Sequence, residues 1–253
     1  MIEVHQFPCL NDNYGFLIHD NESGETVAID TPDAEKYLTE ADSRGWRITA
    51  IWNTHWHPDH TGGNLKLVEE TNCTVIGPAN EAAKIPGIQS KVKSGDTVSI
   101  GSVQAKVIDV PGHTLGHIAY HLGTENKAFV GDALFALGCG RVFEGTPSMM
   151  WNSLLSLREL PSDTAVYCAH EYTQANAKFA VTIDPNNKAL QSYVEEIESK
   201  RSRGEWTVPT SLEKELSTNP FLRCDDAELQ ATIGTNGDAI ATFAEIRARK
   251  DSF

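Results

Sequence analysis

Between residues 54 and 60 the chain runs Thr54-His55-Trp56-His57-Pro58-Asp59-His60. Nine histidines in 253 residues put about 0.2 of a histidine in an average six-residue window, and this one holds three together with an aspartate. Imidazoles and carboxylates at that density form a donor set for divalent metal. In extended backbone, residues two apart face the same side, and Pro58 biases His57 towards extended geometry, so His55 and His57 can share one ion. Asp59 and His60 project differently and can reach a neighbouring ion. A catalytic ion takes three or more protein ligands and keeps a position for water, so further donors are expected downstream. Three fit: His113 in Pro111-Gly112-His113-Thr114-Leu115-Gly116-His117, Asp132 closing Ala128-Phe129-Val130-Gly131-Asp132, and His170 closing Ala165-Val166-Tyr167-Cys168-Ala169-His170. Each follows an apolar run, and a carboxylate there needs a cation or hydrogen-bond donors to be tolerated.

Those donors must be positioned by strands that end where the donors begin. Short apolar runs at 2–7, 14–19 and 26–30 read as strands, the last two joined by the turn-forming Asp20-Asn21-Glu22-Ser23-Gly24. A helix follows, capped by Asp33 and stopped at Gly45. The β-branched, mostly apolar 48–53 is a buried strand that opens into the histidine cluster. Gly62-Gly63 precedes a helical pattern carrying Leu65, Leu67 and Val68, and residues 73–76 return to strand. Further strands are expected at 96–100, 103–110, 117–122, 127–131 and 164–169. From about Glu171 the pattern becomes helical, over 173–183, 186–203, 225–233 and 237–250. Strands with interspersed helices followed by a helical tail describe an α/β fold with a small C-terminal α-helical domain. The boundary falls between domains 1–171 and 172–253.

Composition narrows the function classes. Twenty-one Lys and Arg against 35 Asp and Glu leave a net charge of −14, which repels nucleic acid and anionic lipid. No apolar run approaches the ~20 residues of a membrane helix, and the start lacks the basic and apolar regions of a secretory signal. Five cysteines without a C-x-x-C pair fit neither a disulfide framework nor a zinc ribbon. A cytoplasmic protein with no nucleic-acid or membrane partner is expected, monomeric by default. His5, His19 and His121 are read as ordinary surface or core residues. Cys139, between two glycines, has no local thiolate-activating partner and is read as a small loop residue.

Taken together, T-H-x-H-x-D-H, P-G-H-T-x-G-H, G-D and H-E-Y-T resemble the metallo-β-lactamase superfamily and, within it, the glyoxalase II (hydroxyacylglutathione hydrolase) family. Gly138-Cys139-Gly140-Arg141, Asn219-Pro220-Phe221-Leu222-Arg223 and Arg247-Ala248-Arg249-Lys250-Asp251 extend the resemblance over nearly the whole chain. It implies an αββα sandwich with two divalent ions per chain, zinc first, iron or manganese as alternatives. By position, His55, His57 and His113 are expected to hold one ion and Asp59, His60 and His170 the other, with Asp132 bridging. His117 is given a supporting role. The resemblance assigns catalysis to Asp59 and Asp132, which hold the ions and the hydroxide nucleophile between them. Substrate contacts are expected from Arg141, Phe143, Tyr172, Arg247 and Lys250. Phe143 departs from the tyrosine expected in eukaryotic members, which removes one hydroxyl contact to the peptide part of the substrate.

The implied activity is hydrolysis of S-(2-hydroxyacyl)glutathione, typically S-D-lactoylglutathione, to D-lactate and glutathione, the second step of methylglyoxal detoxification. Arg247 and Lys250 lie three apart on a helix and share a face, as a site for an anionic ligand on an acidic protein requires. Two other classes share the metal motif. A lactonase or β-lactamase lacks the glutathione-directed cations, and a mononuclear-iron sulfur dioxygenase does not need Asp59 and His60 as ligands.

Overall fold

The computed structural model describes residues 2–253, which fall into two compact units. The first comprises residues 2–109 together with Thr114–Gly131, and the second Val110–His113 together with Asp132–Phe253.

The first unit opens with β1 (Ile2–Cys9), β2 (Asn13–Asp20), β3 (Thr26–Ile29), α1 (Ala34–Ser43), β4 (Ile48–Trp52), α2 (Pro58–Thr61), α3 (Asn64–Thr71), β5 (Thr74–Pro78) and β6 (Ile88–Val92). These strands form one sheet in sequence order. β1, β2 and β3 pair antiparallel, and β3 to β6 pair parallel. β2 and β3 are buried throughout, and their centres, residues 14–18 and 27–29, are unbroken runs without a charged or amide side chain. The Asp33 carboxylate accepts the Glu35 and Lys36 amides to cap α1, and Gly45, at φ +68°, lets the chain leave it. α1 then lays Tyr37 and Ala41 against Ile48, Ile51 and Val75.

A second sheet in this unit is the antiparallel run β7 (Thr97–Ile100), β8 (Val103–Asp109), β9 (Ile118–Leu122) and β10 (Lys127–Gly131). It faces the first sheet. Phe16 meets Phe129 edge-on at 5.6 Å, Trp52 meets Tyr120 at 5.2 Å, and the Tyr120 hydroxyl donates to the Asn53 carbonyl at 2.8 Å. Truncating a fully buried aromatic such as Phe129 to Ala costs about 3–5 kcal/mol, so these contacts fix the sandwich firmly.

The second unit contains the small hairpin β11 (Leu134–Phe135) and β12 (Gly138–Cys139), α4 (Pro147–Arg158), β13 (Ala165–Cys168), α5 (Thr173–Ile183), α6 (Lys188–Ser202), β14 (Thr210–Ser211), α7 (Leu212–Thr218), α8 (Ala227–Ile233) and α9 (Ala239–Asp251). The four tail helices expected from periodicity are α5, α6, α8 and α9. The tail also carries the two-residue β14, paired with β13, where no strand is expected, and α7, a further helix too short for periodicity to reveal. α4 is absent from the sequence expectation too, although Thr146 caps it and Pro147 occupies its first turn, a recognisable helix start. Among the described residues no helix is long and apolar enough to cross a membrane.

Candidate metal centre

In the first unit the parallel strands decide where the donors emerge. The carboxyl ends of β3 and β4 are neighbours, with Ile29 opposite Trp52 and the Asp30 amide donating to the Trp52 carbonyl at 3.0 Å. Crevices at strand carboxyl ends are where open α/β sheets bind ligands. Asp30, buried and in the left-handed region at φ +51°, accepts the Thr54 amide at 2.8 Å through one carboxylate oxygen. Its other oxygen accepts the Thr54 hydroxyl at 2.8 Å and His60 Nδ1 at 2.9 Å.

For neutral imidazoles this pattern selects the tautomer. The single Thr54 hydroxyl hydrogen goes to Asp30, so Thr54 Oγ1 must accept from His55 Nδ1, 3.0 Å away. His55 Nε2 is then a lone pair, and it lies 3.0 Å from His57 Nδ1. His60 Nδ1 donates to Asp30, which leaves His60 Nε2 to point towards Asp59 Oδ2 at 3.4 Å. Asn13 in β2 holds that same Asp59 oxygen through its side-chain amide at 3.1 Å. Asp30, His55 and His60 form a buried triad whose donor atoms lie within 4.8 Å of one another. Sequence reasoning missed Asp30, yet its signal matched the one used for Asp132: a carboxylate closing a buried strand.

Two further buried groups shape this side. Glu81 accepts the Trp56 amide at 3.0 Å and the Gly116 amide at 2.8 Å, tying the histidine loop to residues 114–117. A Cβ on Gly116 would come within 2.5 Å of the Glu81 side chain, so this close strap requires glycine. His117 stacks on His55, with ring centroids 4.5 Å apart and planes 17° from parallel, a packing relationship that suits a supporting role.

The second unit has its own constellation. His113 Nδ1 faces the Arg141 carbonyl at 2.8 Å. A carbonyl only accepts, so in the neutral ring His113 Nδ1 carries the hydrogen and Nε2, 3.3 Å from Asp132 Oδ2, offers the lone pair. The other Asp132 oxygen lies 3.4 Å from His170 Nε2. One buried carboxylate therefore presents an oxygen to each of two buried imidazoles, the disposition a bridging ligand needs. Gly140 permits it, since a Cβ there would sit 1.9 Å from the Asp132 carbonyl oxygen. Tyr172 stacks on His170 at 4.7 Å and 4°, and Phe143 lies 5.2 Å from His113.

Imidazole lone pairs and carboxylates, oriented by hydrogen bonds to their far atoms, form a donor chemistry that fits divalent cations. Among the cations expected to meet substrate, Arg247 is buried, with Nη1 donating to the Cys139 carbonyl at 3.0 Å and Nε and Nη2 on Asp251 at 3.1 and 2.9 Å. Arg141 reaches the same Asp251 oxygen at 3.1 Å. Lys250 lies against the Phe179 and Phe253 rings at 5.2 and 5.4 Å, and burial, with Arg247 nearby, pushes its pKa down. The Cys139 thiol is buried and its pKa pushed up to about 11, the opposite of an activated nucleophile.

Residues 16–170 match the family model described as the metallo-beta-lactamase superfamily, and residues 171–253 match the one described as hydroxyacylglutathione hydrolase C-terminus. The hydroxyacylglutathione hydrolase of Hyphomonas neptunium is 64% identical over 253 residues, covering 100% of this chain and 99% of its own. The crystal structure of ETHE1 from Myxococcus xanthus superposes with a TM-score of 0.68 at 26% identity, covering 99% of each chain. That of TTHA1623 in a di-iron-bound form gives 0.57 at 26% identity, covering 66% of this chain and 91% of that one.

Proposed function

Because this chain belongs to the hydroxyacylglutathione hydrolase family of the metallo-β-lactamase superfamily, we propose that it hydrolyses the thioester of S-(2-hydroxyacyl)glutathione, with S-D-lactoylglutathione as representative substrate. Its products are then the 2-hydroxy acid and glutathione, and its place the cytoplasmic second step of methylglyoxal detoxification. Residues 1–171 act as the catalytic domain and 172–253 as the substrate-binding domain. His55, His57 and His113 hold one divalent ion, Asp59, His60 and His170 a second, and Asp132 serves both; zinc is the expected metal. When bound, two such ions acidify water at neutral pH and polarise the thioester carbonyl.

The chain's own groups do the rest. Asp30, Thr54 and the Arg141 carbonyl keep His60, His55 and His113 in the tautomers that offer lone pairs. Asp132 and Asp59 supply the anionic charge that anchors the site. The departing glutathione thiol is acidic, with a pKa near ~8.5 for an ordinary thiol, so no strong general acid has to protonate it. Arg141, Arg247 and Lys250, with Phe143 and Tyr172 beside them, receive the glutathione part and orient the acyl group, binding energy applied away from the reacting carbon.

The observation that carries this reading is the Asp132 carboxylate shared between His113 and His170 in a chain whose tail matches the glutathione-hydrolase C-terminal model. That tail also weighs against a lactonase, β-lactamase or dioxygenase reading. The test is metal analysis of the purified protein together with hydrolysis of S-D-lactoylglutathione. About two equivalents of metal and glutathione-thioester turnover are expected. Turnover of β-lactams or lactones in preference to the thioester would overturn the proposal.

A further inference from the structure

Arg141 and Arg247 are far apart in sequence, yet their guanidinium groups converge on a single oxygen. Asp251 Oδ1 accepts from Arg141 Nε at 3.1 Å, from Arg247 Nε at 3.1 Å and from Arg247 Nη2 at 2.9 Å. Asp251 is the last residue of α9, one turn beyond Arg247, and Lys250 precedes it. Two guanidinium groups thus share one carboxylate, and Lys250 lies close enough for Asp251 to act on its charge, which leaves more positive than negative charge here on a protein of net charge −14.

The two arginines are not held alike. Arg247 is buried and has a second anchor in the Cys139 carbonyl, whereas the Arg141 side chain is 54% exposed and has Asp251 as its charged partner. An exposed arginine samples many rotamers, and two guanidinium groups left facing each other repel. A carboxylate between them removes the repulsion and restricts Arg141 to one approach.

We propose that Asp251 is a positioning residue for glutathione recognition, holding Arg141 beside Arg247 so that both cations already face the anionic end of the incoming thioester. The inference rests on the proposed glutathione-thioester activity and deepens it, since that activity alone assigns Asp251 no role. Asp251 sits outside the metal-donor constellations and acts on binding rather than on bond cleavage. Losing it leaves Arg141 to be ordered by the substrate itself, which weakens binding roughly two- to ten-fold for one rotamer-rich side chain.

The test uses the metal-loaded enzyme. With Asp251→Ala, KM for S-D-lactoylglutathione and the calorimetric Kd of glutathione are expected to rise together by roughly that factor. kcat should stay within about two-fold, and a lactoyl thioester of a small uncharged thiol should be hydrolysed as before. Asp251→Glu should recover part of the loss. If Asp251→Ala does not fold, Asp251→Asn, which keeps the shape and drops the charge, carries the same comparison. Tighter glutathione binding in the variant would overturn the inference, because Asp251 would then be a competitor for the arginines. Unchanged binding, or equal damage to both thioesters, would overturn it as well. Wild-type enzyme that neither binds glutathione nor cleaves its thioester would instead refute the proposed function, and the inference with it.

Discussion

Glu215 in α7 is fully buried, and its carboxylate is surrounded by four donors. One oxygen accepts the Leu137 amide at 2.8 Å and the Asn219 side-chain amide at 3.0 Å; the other accepts the Thr210 hydroxyl at 2.7 Å and the Tyr193 hydroxyl at 3.4 Å. Asn219 passes the same hold to the Phe135 and Gly138 carbonyls, so this network pins the hairpin that leads to Cys139 and Arg141. Burial raises the carboxyl pKa and the hydrogen bonds lower it; burial prevails and pushes it from 4.5 to about 7. The folded state therefore binds a proton that the unfolded chain releases near pH 4.5. Glu215 then contributes stability below that pH and loses it as pH rises to 7 and beyond. At 1.36 kcal/mol per pKa unit the loss is about 3 kcal/mol, or roughly 6–12 °C in Tm for a chain of this size. Gln can accept from Leu137 and Asn219 and donate to Thr210, so Glu215→Gln preserves the network without the ionisation. Melting curves of both proteins, metal-loaded, from pH 5 to 8 are the assay. The difference between variant and wild type should be smallest near pH 5 and grow in the variant's favour towards pH 8. A difference that stays constant with pH, or moves the other way, would refute the reasoning by showing that the four donors hold the carboxylate ionised.

Other substitutions test the metal donors and the cationic side. Asp132→Ala should reduce bound metal to one equivalent or none and abolish turnover; a variant with two metals and normal kcat would remove the shared-carboxylate arrangement. Asp30→Ala frees His60 and Thr54 from their common partner, and metal affinity measured against a competing chelator should fall about 10- to 100-fold. Retention of wild-type affinity would mean that Asp30 serves packing alone. Lys250→Gln should raise KM for the glutathione thioester several-fold with metal content unchanged, and an unaltered KM would take Lys250 out of substrate recognition.

The helices and strands with strong periodicity were legible in the chain itself. α1 announced both ends through Asp33 and Gly45, and β4 was a buried apolar run opening directly into the cluster at 55–60. The short elements were not, because β14 and β11 have two residues each, fewer than any period needs, and exist only through their pairing. Donor types and spacing were equally local, so His55, His57, Asp59 and His60 could be singled out from seven consecutive residues. Asp30 closes an apolar strand as Asp132 does, but its hold on Thr54 and His60 comes from β3 lying beside β4, a parallel pairing of strands separated by α1.

Sequence alone thus determined the chemistry on offer: a dense His/Asp donor set, an acidic composition with Arg247 and Lys250 sharing a face of the last helix, and a change from strand to helix near residue 171. Tertiary structure decided how that chemistry is oriented. Which imidazole nitrogen carries a proton depends on Asp30, Thr54 and the Arg141 carbonyl, all supplied by other segments. Whether an arginine is buried and doubly anchored or exposed with one carboxylate partner depends on where Cys139 and Asp251 come to lie. Side-chain type is a local property, whereas protonation, orientation and burial depend on neighbours that only folding brings together.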